Sequence, residues 1–267
     1  MTTGGADRRI APAVELGAVM LAVWAVLAGS AWMRGELAIS WDMLNHHVYI
    51  GWEAFRPRFD LDVLPAATQT YQYPYLYWPV YALATQGFSG RAAGAILATA
   101  QLILVPPIWL AARACIPEAG WYECGMRCMA VMLGLSSAVA LSLLNSTTND
   151  MFAAAPLLWA IALSLPATRG GALCRPVVSG LLAGLSIACK WSNGPLVLVL
   201  PLLWWFAPAQ ETLFHRGRRT LVACMAVIAG FSIAYAPWGW QLWTHFRNPF
   251  HPMFEDWIAI LRGWLQW

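Results

Sequence analysis

The chain has 267 residues, of which 60% are apolar and only 11% charged, against roughly 25% charged in an average soluble domain. It carries 17 tryptophans and a net charge of +3 scattered along its length, which excludes a soluble globular enzyme, a disordered protein and a nucleic-acid-binding domain, since the last needs a clustered basic face. Apolar runs of spanning length recur, so the class is an all-α, polytopic helical membrane protein.

In chain order, Arg8 and Arg9 precede a charge-free run from Leu16 to Met33. It is longer than the apolar core of a signal peptide, about 7–15 residues, and reads as an uncleaved first spanning helix. A polar and aromatic stretch follows from Arg34 to Gln72. Further spanning runs are predicted at Ala92–Ala112, Met129–Leu144, Met151–Pro166, Val177–Cys189, Pro195–Ala207 and Leu221–Trp240. Cys115, Cys124, Cys128, Cys174, Cys189 and Cys224 form no CxxC pair. They read as small apolar side chains between helices, not as a disulfide framework or a zinc site.

The run Tyr73–Phe88 decides the topology. Its 16 residues would give a helix of about 24 Å, short of a hydrocarbon core near 30 Å. Cytoplasmic loops are enriched in Lys and Arg. If the run is re-entrant or interfacial, Arg113, Arg127, Arg169, Arg175, Arg216, Arg218 and Arg219 face the cytoplasm, and Arg91, Lys190, Arg247 and Arg262 lie outside, seven against four. If it spans, the count reverses. The expectation is therefore about seven transmembrane helices in one module over residues 1–267. The N-terminus is cytoplasmic, in a plasma (inner) membrane, and residues 34–90 form a long first extracytoplasmic loop with interfacial or re-entrant helices. Glu36, Asp42, Glu53, Asp60, Asp62, Asp150, Glu255 and Asp256 then share the outer side, eight of the 13 acidic residues.

Four polar islands could carry chemistry on that side. In Trp41-Asp42-Met43-Leu44-Asn45-His46-His47, helical winding would put Asp42, Asn45 and His46 on one face. Asp42 could act as a general base, or cap an interfacial helix. Asp42, His46 and His47 are the candidates for a divalent metal, although one Asp-x3-His pair is an incomplete ligand set. In Asn145–Asp150, the acid either caps the next helix or supplies a second carboxylate. Asn145-Ser146-Thr147 matches a glycosylation acceptor, but the turn is too close to the membrane for that use. Lys190, the only lysine, interrupts an apolar stretch before Asn193-Gly194-Pro195. It either snorkels to the interface or binds an anion such as phosphate, a role Arg58 could share. Arg247–Phe254, with two prolines, is a stiff turn. Tyr71, Tyr73, Tyr75, Tyr77 and Trp78 read as an interfacial aromatic belt rather than a sugar-stacking platform.

Taken in order, these segments resemble the GT-C superfamily of membrane glycosyltransferases. The resemblance rests on Trp41-Asp42-x-x-Asn45-x-His47, on Arg58-Phe59-x-Leu61-Asp62-x-x-x-Ala66-x-x-Gln69-Thr70 and an aromatic, proline-containing segment, and on the Asn149-Asp150 turn. Gly180–Leu185 leading to Lys190 and Gly194-Pro195, and Asn248-Pro249-x-x-Pro252-x-Phe254, complete it. Each motif is short, and only their ordered combination carries weight. The resemblance implies a seven-helix module, followed in other members by a variable C-terminal part that this chain would lack. It implies transfer of a sugar from a polyprenyl phosphate to a hydroxyl of a glycan, lipid or protein, with inversion. It assigns Asp42 as the base and Asp150 as a helper, with Lys190 and Arg58 on the donor phosphate. Asn45, His47, Gln69, Tyr71, Asn149 and Asn248 become substrate-binding candidates. The superfamily often pairs acids as Asp-Glu or Asp-x-Asp, whereas Asp42 precedes Met43, so the departure bears on whether a divalent metal is used. The competing readings are a transporter or lipid-handling protein without covalent chemistry, and a non-catalytic homologue.

Overall fold

The computed structural model describes residues 10–38, 40–165, 173–206 and 212–265, all in helices, turns and loops without strands among them. Arg8, Arg9, Arg169, Pro166 and Ala207 lie outside the described residues. Helix α1 (Pro12–Arg34) opens with proline in its first turn, where the missing N–H would have had no partner. It closes on Gly35 in the left-handed region, φ 79°. The outer segment holds a π-helical turn (Met43–His47), α2 (Val48–Glu53) and α3 (Trp78–Thr85). Helix α4 (Gly90–Ala100) is capped by Ser89, whose hydroxyl accepts from the Ala92 amide at 3.2 Å. It runs through a 3₁₀ turn (Gln101–Leu104) into α5 (Val105–Cys115). The tightening falls where Pro106 and Pro107 withhold their amide donors.

The predicted run Met129–Leu144 is divided between α6 (Trp121–Leu135) and α7 (Ala138–Ser142). The break is local chemistry: the Ser137 hydroxyl accepts from the Ala140 amide at 3.2 Å and starts a new helix. Then come α8 (Asp150–Ser164), α9 (Cys174–Cys189), the short α10 (Gly194–Val197) and α11 (Leu200–Phe206), and α12 (Leu213–Phe246). A last helix, α13 (Glu255–Leu265), was not foreseen; it buries no residue and exposes Trp257, Leu261 and Trp264.

Among the described residues, three helices are long and apolar enough to cross a membrane: Pro12–Arg34, Gly90–Cys115 and Leu213–Phe246. The other predicted runs are helical but shorter. The chain is thus an all-helical protein with several membrane-compatible helices. Within Tyr73–Phe88 only the eight residues of α3 are helical, about 12 Å of axis. Gly90 then sits against Leu37, where a Cβ would stand 3.1 Å from the Leu37 amide. The end of α1 and the start of α4 therefore lie side by side.

Helix α8 joins two halves. One face packs with α1, α5 and α6 around Val23, Leu104, Trp109 and Val131. The other packs with α9, α11 and α12 around Leu157, Ala183, Trp204 and Ala223. Between α9 and α12 the backbones nearly touch. A Cβ at Gly180 or Gly184 would collide with the carbonyl oxygens of Ala223 or Val227, and one at Gly230 with that of Leu181. Gly180-x3-Gly184 is therefore a small-residue packing seam, which lets backbones approach where no hydrophobic effect drives helices together.

Candidate functional site

Five segments meet at one end of this bundle: the 41–53 helix, the 68–77 segment, the 145–150 turn, the break after α9 and the 248–254 turn. They enclose a cavity of about 670 Å³. Asp42, Asp150 and Lys190 all line it, together with His46, His47, Gln69, Tyr71 and Asn149.

Local physics places each group. The helical turn at Asp42 is capped by Ser40, whose hydroxyl accepts from the Met43 amide at 3.1 Å. Asp42 makes no cap bond, so its carboxylate remains available to the cavity. The chain then winds as a π-turn. Bonds from i to i+5 bring residues four and five apart onto one face, so His46 and His47 join Asp42 and Asn45 rotates away. Asn45 instead donates its amide to the Trp41 carbonyl at 2.6 Å and does not line the cavity. The His47 ring stacks on Tyr77 with centroids 4.8 Å apart and shares a hydrogen bond of 2.6 Å with the Thr147 hydroxyl. Gly51 secures this contact, because a Cβ there would strike the Tyr77 carbonyl.

The 145–150 turn is tied down by Asn145, whose amide donates to the Glu36 carbonyl and whose own carbonyl accepts from Ala38 at 3.0 Å. Asn145 is buried, at 1% exposure, so the glycosylation pattern lies inside the fold. Helix α8 begins at Asp150 itself and has no side-chain cap. The Asp150 carboxylate instead pairs with the Lys190 ammonium. Lys190 is held at this point because α9 ends on it in an extended conformation. Asn193 then anchors the break, donating to the Ser186 hydroxyl at 2.8 Å and to the Ala153 carbonyl at 3.1 Å.

Asn248 is fully buried and builds the last turn: its amide donates to the Met253 carbonyl at 2.8 Å and to Glu255 at 2.9 Å, and its oxygen accepts from the Phe250 amide at 2.9 Å. It presents Phe250, His251 and Met253 to the cavity without lining it. Arg58 also stands apart, 3.5 Å from Asp62 and over the Trp52 ring at 5.6 Å. Tyr73, Tyr77, Trp191 and Tyr235 form much of the wall. The first two belong to the predicted aromatic belt, but Tyr235 lies within a long apolar helix and carries no sequence signal.

Burial shapes the titration of the outer segment. It lowers the His47 pKa to about 4, helped by the neighbouring His46, so the ring is neutral at physiological pH. His46 is lowered by burial as well, against a pull upward from Asp42. Tyr77 is raised by burial, with the carboxylates of Asp150 and Asp42 adding to the effect.

Behind Tyr71 lies Glu53, fully buried, with both carboxyl oxygens lacking a hydrogen-bond partner among the described residues. Burial, reinforced by Asp62, raises its pKa from 4.5 to about 8. The fold therefore holds a proton that the unfolded chain releases, and stability falls as pH rises between those two values. The melting temperature in detergent is expected to drop between about pH 6.5 and 8, above the range where His46 and His47 pull the other way, and Glu53→Gln to remove most of that drop. An identical slope in the variant would refute this account of Glu53.

Comparisons with known protein families, curated proteins and solved structures give no match.

Proposed function

We propose that the chain is a membrane glycosyltransferase of the GT-C type. It would transfer a sugar from a polyprenyl-phosphate donor to an acceptor hydroxyl at the extracytoplasmic face of a plasma (inner) membrane, with about seven spans and a cytoplasmic N-terminus. The observation that carries this reading is the convergence of Asp42, Asp150 and Lys190 on one cavity from three distant parts of the chain.

Each group then has a task. Asp42 is 52% exposed at its side chain, open to the cavity and placed to take the proton of an entering hydroxyl. The acceptor oxygen bonds to the anomeric carbon from the side opposite the phosphate. The carbon–oxygen bond to phosphate breaks, and polyprenyl phosphate leaves with the electron pair. Lys190 offsets the charge that develops on it. An ammonium has three donors, so Lys190 can meet phosphate while retaining Asp150. The aromatic wall gives the sugar and the first prenyl unit a surface that is apolar but edged with hydroxyls.

Asp42→Asn tests the assignment. Wild-type protein in nanodiscs, given a polyprenyl-phosphate sugar and a hydroxyl acceptor, should consume donor. The variant should melt at the same temperature and turn over about 10²–10⁴-fold more slowly. Full activity in the variant would remove Asp42 as the base, and no donor consumption by wild type would favour a transporter or a non-catalytic homologue.

A further inference from the structure

The π-turn brings onto one face a donor set that α-helical winding would split. Asp42, His46 and His47 each offer one ligand atom, and these atoms lie within 4.8 Å of one another. The Asp42 carboxylate stands 3.9 Å from Nδ1 of His46. Ligand atoms about 2.1 Å from a tetrahedral zinc-sized ion stand roughly 3.4 Å apart, so closure asks for side-chain shifts of up to about 1.4 Å. Both histidines are nearly buried, at 6% and 2% exposure, and still border the cavity.

The surroundings match those of an oriented ligand group. The Thr147 hydroxyl holds Nδ1 of His47 at 2.6 Å, while Nε2 has no hydrogen-bond partner among the described residues. A metal-binding imidazole is typically fixed in this way through its other nitrogen. The Tyr77 ring, stacked on His47, sets the plane. Thr147 and Tyr77 come from two other segments, so the ligand geometry depends on the assembled fold rather than on one helix.

We propose that Asp42, His46 and His47 bind a divalent transition metal of the zinc class, with the remaining coordination positions facing the cavity. Two imidazoles and one carboxylate favour that class over magnesium or calcium, which prefer all-oxygen shells. With one carboxylate and two neutral imidazoles, the ion keeps a net positive charge toward the cavity. Asp42 would give the ion one oxygen and keep the other for the proton of an acceptor hydroxyl that the ion draws toward it. Its place in catalysis rests on the glycosyltransferase reading, whereas binding of the metal does not.

Metal uptake by the full chain in detergent, stripped with chelator and titrated with Zn²⁺ or with Co²⁺ as a visible-absorption probe, tests the proposal without donor or acceptor. One equivalent should bind, with Co²⁺ bands indicating nitrogen ligation, and equal Mg²⁺ should not displace it. His46→Ala and Asp42→Asn should each weaken Zn²⁺ binding by at least about 100-fold, and Asn45→Ala, rotated off the face, should leave it unchanged. Asp42 is half exposed, so Asp42→Asn reports even if His46→Ala misfolds. Wild-type-like Zn²⁺ affinity in folded Asp42→Asn, no uptake by wild type, or displacement by Mg²⁺ would each overturn the site. If the metal binds but no sugar is transferred, the site stands and the glycosyltransferase reading falls.

Discussion

Gly184→Ala is expected to destabilise the bundle by more than about 3 kcal/mol, far beyond an ordinary glycine-to-alanine exchange in a helix. Alanine normally gains up to about 1 kcal/mol over glycine at such a position. Here the added methyl would meet the Val227 carbonyl and stand 2.5 Å from the Phe231 amide nitrogen. Both obstacles are backbone, which cannot rotate aside, so α9 and α12 must separate along their whole seam. Gly29 in α1 is the control, because nothing lies within 4 Å of a Cβ there. Gly29→Ala should leave the melting temperature in detergent unchanged or raised, and Gly184→Ala should lower it sharply or prevent purification of a folded monomer. Equal behaviour of the two variants would show that the seam does not hold these helices together. The cavity depends on this seam, since Lys190 ends one of the helices and Tyr235 sits on the other.

Arg127→Met should cost about 3–5 kcal/mol, the usual penalty for stranding a buried charge. Glu15 of α1 and Arg127 of α6 are 4% and 2% exposed and form a bidentate pair, with bonds of 2.6 and 2.7 Å. Trp109 also donates to Glu15 at 2.7 Å. The other arm of the guanidinium donates to the carbonyls of Ile116 and Glu118 at 2.8 and 2.7 Å, just past the end of α5, where helix carbonyls lack partners. Loss of Arg127 therefore leaves a buried carboxylate with no counter-charge and only Trp109 as donor, and takes the guanidinium away from two carbonyls. The double variant Glu15→Leu/Arg127→Met should recover part of the loss, because apolar replacement of both partners removes the stranded charge. A double variant no more stable than Arg127→Met, by thermal unfolding in detergent, would contradict this.

Much of the architecture was legible in the chain because long apolar runs have few alternatives to helix. The arginine count and the 16-residue limit on Tyr73–Phe88 both favoured a segment that returns to the same end; within it the helix α3 has eight residues. Other features depend on contacts between distant residues. Arg127 reads as one more loop arginine, and nothing local announces Glu15, 112 positions earlier, as its partner. Asp150 and Lys190 each had a plausible local role, as cap and as snorkelling cation, and their pairing across 40 positions replaces both. An assumed α-helical face put Asn45 beside Asp42, whereas the π-turn substitutes His47. Arg58 and Asn248 were assigned by motif, but their side chains are engaged by Asp62 and by the 248–254 turn itself. Helix α13 follows the last spanning run and drew no reading, although Trp257, Leu261 and Trp264 recur at helical spacing.

The pairing of Lys190 with Asp150 has a consequence for which solutes can occupy the chamber. Any anion entering there must outbid a carboxylate already in contact with the ammonium, instead of meeting a bare cation. A lone halide gains little by that exchange. A phosphate group, with two or more free oxygens to share among the ammonium's three hydrogens, gains more. The internal aspartate thus acts as a threshold, favouring visitors that bring several oxygens over those that bring charge alone.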